Sequence, residues 1–206
     1  MKKLNLRNSK LSYLLLLLLA FGAVFASSYN SKNLEKNALE VASTNEHDAY
    51  NKMMDVLMSP RCVNCHPNDN IPKQADDGHP HYFGMSRGQN NLGFQATKCT
   101  TCHQTENNNY SGVPGAPEWS LAPDKMKWEG LTRNQIARSM LNKEHNGNRD
   151  LEELEHHLTE HELVLWAWKP GVDAQGIPRE LPPVPLEEYR AAVKEWIENG
   201  AIVPED

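Results

Sequence analysis

Every cysteine of this chain belongs to one of two copies of a single pattern, Cys-x-x-Cys-His: "CVNCH" at Cys62–His66 and "CTTCH" at Cys99–His103. Two thiols three residues apart come onto one turn of helix, with an imidazole directly after, and no thiol is left for a cross-link elsewhere. The pattern is that of c-type haem attachment. The thiols reach the two vinyl groups on one side of a porphyrin, and the histidine turns under the iron as its proximal ligand. Cys62, Cys65, Cys99 and Cys102 are therefore expected to carry two covalently bound haems c, with His66 and His103 on the two irons. Whatever fold the chain adopts has to enclose two large flat cofactors.

Other chemistries use paired cysteines. Cys-x-x-Cys units build zinc sites, but the 33 residues between Cys65 and Cys99 exceed the usual spacing of the compact two-knuckle pattern. Two disulfides would suit an exported chain, yet they leave unexplained why a histidine follows the second cysteine both times. A thioredoxin-like redox pair needs a βαβ setting that is missing here.

Export is read from the N-terminus. Lys2, Lys3, Arg7 and Lys10 precede the apolar run "LSYLLLLLLAFGAVFA", and Val24 and Ala26 suit a cleavage site after Ala26. The sixteen residues from Leu11 to Ala26 are short for a membrane span. Residues 1–26 are thus expected to be a signal peptide; the alternative is an uncleaved anchor that keeps the protein near the membrane. The protein is placed in the periplasm or on the outer face of the cytoplasmic membrane. The formal net charge of −6 becomes four charges more negative once those basic residues are removed. Such a chain is unsuited to nucleic-acid phosphates and suited to basic protein surfaces.

Residues 27–45, rich in Ser and Asn, read as a flexible polar linker, and 46–206 as the di-haem domain. Within it, 46–118 is the haem-attachment half and 119–206 a helical covering half. Tyr50, Met53, Met54, Leu57 and Met58 recur at helical spacing, and Pro60 ends that helix. Pro67 to Gly93 reads as loop. Thr132 with Gln135, and Asp150 with Glu153, have the spacing of capping boxes. Thr159 with Glu162 repeats it, so the helix is expected to restart there. Leu186, Tyr189, Val193, Trp196 and Ile197 mark a last helix that Gly200 terminates. Strand-like alternation is nearly absent. The expected fold class is all-α and cytochrome c-like, helices and long loops wrapped around the two haems.

The distal iron ligands stay open. An iron that only passes electrons normally has Met or His opposite the proximal histidine. The candidates are His81, in "DDGHPHYFGMSRG", with His79 and Met85 ranked below it; Met126, in "LAPDKMKW"; and His157, on the inward face of a helix. Trp119, Trp128, Trp166, Trp168 and Trp196 supply apolar area for enclosing the cofactors.

The segments "RCVNCHP", "DDGHPHYFGMSRG", "CTTCHQTEN", "PGAPEWSLAPDKMKWEGL", "LVLWAWKPG" and "WIENGA" together resemble a family of di-haem c-type cytochromes named as cytochrome-like subunits of isoquinoline 1-oxidoreductase. The resemblance covers the mature chain. It implies a protein that takes electrons from a dehydrogenase of the molybdenum hydroxylase type and passes them to a respiratory carrier. Electron transfer without a substrate of its own is therefore the leading expectation. The alternative is a haem enzyme such as a di-haem peroxidase or a sulfur-compound dehydrogenase. That requires one open iron beside an acid–base group, and no placed acid–base pair stands out.

Overall fold

In a computed structural model of the chain, residues 48–205 are described. The expected signal segment 1–26 and linker 27–45 lie outside the described residues. Helix α1 is described over 48–57. Its Tyr50, Met53, Met54, Val56 and Leu57 are buried, so the helical spacing of apolar residues does mark a core face. Met58 departs from the expectation: it is 39% exposed, because the helix ends one residue earlier and turns the side chain to the rim.

Pro60 does more than stop α1. It opens α2 (Pro60–Val63), where the fixed φ of proline suits the first helical turn and its missing N–H costs nothing. α3 (Arg133–Leu141) starts at a capping box in which the Thr132 hydroxyl accepts from the Gln135 N–H and the Gln135 side chain accepts from the Thr132 N–H. α4 (Leu151–Glu160) repeats the device with Asp150 and Glu153.

The chain restarts as α5 (Glu162–Leu165) and a 3-10 turn, Trp166–Trp168, but Thr159 does not cap it. The Thr159 hydroxyl donates back to the Glu155 carbonyl, 2.8 Å away, a bond open to any helical threonine. α6 (Leu186–Glu198) buries Tyr189, Ala192, Val193 and Trp196, and Gly200 follows it at φ +88°.

One apolar cluster joins α1 to Met126, Trp128, α3, α4 and α6, with Cys62 packed against it. The core therefore draws on both sides of the expected division at residue 118. Tyr50 donates to the Asn134 carboxamide oxygen at 2.6 Å, and Arg133 pairs with Asp55, tying α3 to α1. Arg190 donates to the Thr159 carbonyl at 3.0 Å, tying α6 to α4.

Two minimal antiparallel hairpins interrupt the loops: β1 (Lys73–Gln74) pairs with β2 (His79–Pro80), and β3 (Gly93–Phe94) with β4 (Thr97–Lys98). The described residues thus combine helices, long loops and two very small sheets. Strands of two residues are too short to show an alternating pattern in sequence. No helix among the described residues is long and apolar enough to cross a membrane.

Candidate functional site

The two Cys-x-x-Cys-His motifs form the same kind of local turn. Cys62 lies on α2; the Cys65 N–H then donates to the Cys62 carbonyl (3.1 Å) and the His66 N–H to the Val63 carbonyl (2.9 Å). In the second motif Cys99–Thr101 is a 3-10 turn, and the N–H groups of Cys102 and His103 both donate to the Cys99 carbonyl (3.2 and 2.9 Å). Each turn carries its two cysteines one helical turn apart, with the histidine leaving directly after.

Both imidazoles are then fixed in the same way. His66 Nδ1 lies 2.8 Å from the Met126 carbonyl oxygen, and His103 Nδ1 lies 2.7 Å from the Pro114 carbonyl oxygen. Because a carbonyl only accepts, Nδ1 carries the proton in both rings and Nε2 holds the lone pair. Each ring also stacks on a tryptophan at an interplanar angle of 10°: His66 on Trp128 with centroids 3.5 Å apart, and His103 on Trp119 at 4.6 Å.

All four contacts come from one stretch, 114–128. Trp119 meets Trp166 edge-on at 4.9 Å, and the Trp166 indole N–H donates to the Asn107 side-chain oxygen at 2.9 Å. That oxygen also accepts from the Gly115 N–H at 3.0 Å. A Cβ on Gly115 would fall 2.2 Å from the Glu106 carbonyl oxygen, so only glycine lets the stretch pass this closely.

The electrostatics keep these groups neutral. Burial lowers the His66 pKa to about 3, opposed by the Met126 carbonyl and reinforced by His157 and Arg87. Burial likewise lowers that of His103, with the Pro114 carbonyl opposing and His81 and Arg179 adding to the shift. Burial pushes the Cys62 thiol up to about 12 and the Cys65 thiol up to about 11, and raises that of Cys99. These cysteines are protonated thiols in this setting rather than poised thiolates. None of the four is in a disulfide. The backbone makes the two motifs neighbours: the Ala122 N–H donates to the Cys65 carbonyl (3.0 Å), the adjoining Leu121 N–H to the Asn91 carbonyl (2.9 Å), and the Cys99 N–H to the Leu92 carbonyl (2.9 Å).

The distal candidates fall in different places. The His81 ring lies 5.9 Å from that of His103, centroid to centroid, at an interplanar angle of 68°. The His157 ring lies 4.9 Å from that of His161; its pKa is lowered to about 4 by burial first and then by Arg149, and its Nδ1 is buried without a partner. Met126 belongs to the core cluster, and its sulfur accepts from the Ser139 hydroxyl at 3.7 Å. Its carbonyl serves the Nδ1 edge of His66, not the Nε2 edge.

His79 has both ring nitrogens engaged, Nδ1 with Asp77 at 2.6 Å and Nε2 with the Gln74 side chain at 2.8 Å. Met85 is buried.

Two features were not legible in the sequence. The stacking of Trp119 and Trp128 on the histidines was hidden because the tryptophans read only as generic apolar area. The other is the buried arginines. Arg61 donates to the Ala75 carbonyl (3.2 Å) and pairs with Asp76, and Arg87 donates to Asn91 and to the carbonyl of Ala122. Compared with family models, curated proteins and solved structures, the chain matches none.

Proposed function

We propose that this chain is an exported di-haem c-type cytochrome that carries electrons between a dehydrogenase and a respiratory acceptor. The observation that carries the reading is the repeated arrangement at His66 and His103. Each follows two thiols spaced by one turn, Cys62, Cys65 and Cys99 partly buried and Cys102 exposed, and donates Nδ1–H to a backbone carbonyl, keeping Nε2 as the basic nitrogen. That tautomer is the one a proximal iron ligand needs, and the second hydrogen bond raises its basicity.

The surroundings fit the cofactor. Trp128 Nε1, on the ring stacked against His66, is buried without a hydrogen-bond partner, as are His157 Nδ1 and Tyr189 OH. Buried polar atoms of this kind call for partners that the polypeptide does not supply, and for the Trp128 and Tyr189 donors the two carboxylates of a porphyrin would serve. A zinc cage is less well supported, since no group of three or more His, Cys, Asp and Glu side chains gathers among the described residues.

Haem supplies a one-electron couple that the side chains lack. Cys62, Cys65, Cys99 and Cys102 would hold the two groups as thioethers. His66 and His103 would bind iron, while Trp119 and Trp128 fix the ring planes and keep water from them. The backbone hydrogen bonds that link the Cys65 and Cys99 segments through 91–92 and 121–122 favour electron exchange between the two centres. We assign no reaction to the chain itself. The donor, by the resemblance of "PGAPEWSLAPDKMKWEGL" and its companion segments, is a molybdenum hydroxylase-type dehydrogenase.

Intact-mass measurement with a pyridine haemochrome spectrum tests the reading. The expected result is a mature chain plus two tetrapyrroles, falling to one when Cys99 and Cys102 are both replaced by alanine. A polypeptide of unmodified mass would overturn it.

A further inference from the structure

We propose that His81 is the second axial ligand of the iron attached at Cys99 and Cys102, making that centre bis-histidine; the inference rests on the haem reading above. A metal joined to two imidazole nitrogens at about 2 Å each separates the two ring centres by about 6 Å. The rings of His81 and His103 are 5.9 Å apart and inclined at 68°, an edge-to-face approach whose spacing is also that of two imidazoles on a shared metal.

Each ring has a single nitrogen left for that purpose. His103 commits Nδ1 to the Pro114 carbonyl, and His81 commits its own Nδ1 to the Tyr82 carbonyl at 2.8 Å. Nε2 is therefore the basic atom of both.

His81 is also held before any cofactor binds. Its N–H donates to the Pro72 carbonyl at 2.8 Å, at the open end of the β1–β2 hairpin. Just beyond, Phe83 and Gly84 take left-handed conformations (φ +63° and +62°) that turn the chain back. Phe83 has a side chain and bears the strain of that conformation. Positioning by a hairpin and a strained reversal is what a ligand carried on a long loop requires.

The rivals have other commitments. Both nitrogens of His79 are engaged, and the Met126 carbonyl and sulfur belong to the surroundings of His66 and Ser139. Two histidines in place of histidine and methionine lower the reduction potential, so this centre is set to be the more reducing kind.

The test uses the full holoprotein. In His81→Ala with both haems still attached, one more haem per chain than in wild type should bind carbon monoxide on reduction, and added imidazole should restore its low-spin spectrum. His81→Met should give a new far-red iron–methionine band and raise the potential of one haem only. This second variant keeps the test open if the alanine form does not accumulate. Unchanged carbon monoxide stoichiometry in His81→Ala, or unchanged potentials with no new band in His81→Met, would overturn the assignment while leaving the haem reading intact. A wild-type chain without haem would instead remove the reading beneath it.

Discussion

His66 and His103 each depend on one carbonyl and one indole, and these contacts decide what substitutions nearby should do. Replacing Met126 with alanine removes a buried side chain but keeps the carbonyl that holds His66. A loss of about 2–5 kcal/mol of stability is expected from the cavity, with the low-spin visible spectrum unchanged. Denaturant titration and absorbance, run on the same sample, check both halves of that statement.

The loop after the first motif carries a pH signature of its own. Hydrogen bonding to the Ile71 N–H, with Lys73, holds the Asp69 carboxyl below its ordinary value of 3.8; Asp77 and Asp124 are also lowered, through His79 and Lys127 respectively. Their stabilisation is complete above pH 3.8 and is lost as the pH falls below it, because the unfolded chain then binds protons more readily. Urea midpoints measured from pH 5 down to pH 3 should fall, and less steeply in Asp69→Asn.

At this scale the sequence was informative about identity and silent about partners. Cys-x-x-Cys-His names its own residues, whereas the stacking of Trp128 on His66 spans a long sequence separation and carries no local signal.

The helices were the most legible elements, since their signals are local. Thr132 with Gln135 and Asp150 with Glu153 both form the reciprocal caps that their spacing implied. Thr159 with Glu162 has the same spacing and forms none, because a hydroxyl inside a continuing helix finds the carbonyl four residues back first. Asp150→Ala removes a working cap and should cost about 1 kcal/mol, read as a lower denaturation midpoint. The equivalent change at Thr159 removes no cap; whatever it costs comes from the back-bond and a buried methyl group.

The two hairpins were invisible for the opposite reason. Each is held by a turn and tertiary contacts rather than by any strand propensity of its two residues. Gly93 is one of those contacts, at φ +85°, where a Cβ would meet the Thr97 carbonyl oxygen at 2.7 Å.

Over the whole molecule, charge sets the terms of association. The chain is acidic, and loss of residues 1–26 would make it more so. Association with a basic redox partner should accordingly slow as ionic strength rises, since screening shortens the reach of the field. Stopped-flow electron transfer to a cationic acceptor, compared at low and physiological salt, should show the drop; a rate indifferent to salt would point to an apolar contact face instead.

The stretch 114–128 has a different consequence. It works as a single yoke, with one end on His103 and the other on His66. An insertion, a deletion or a pull anywhere between Trp119 and Met126 would shift the seats of both imidazoles together. On the di-haem reading proposed above, the two centres would be tuned, or spoiled, as a pair.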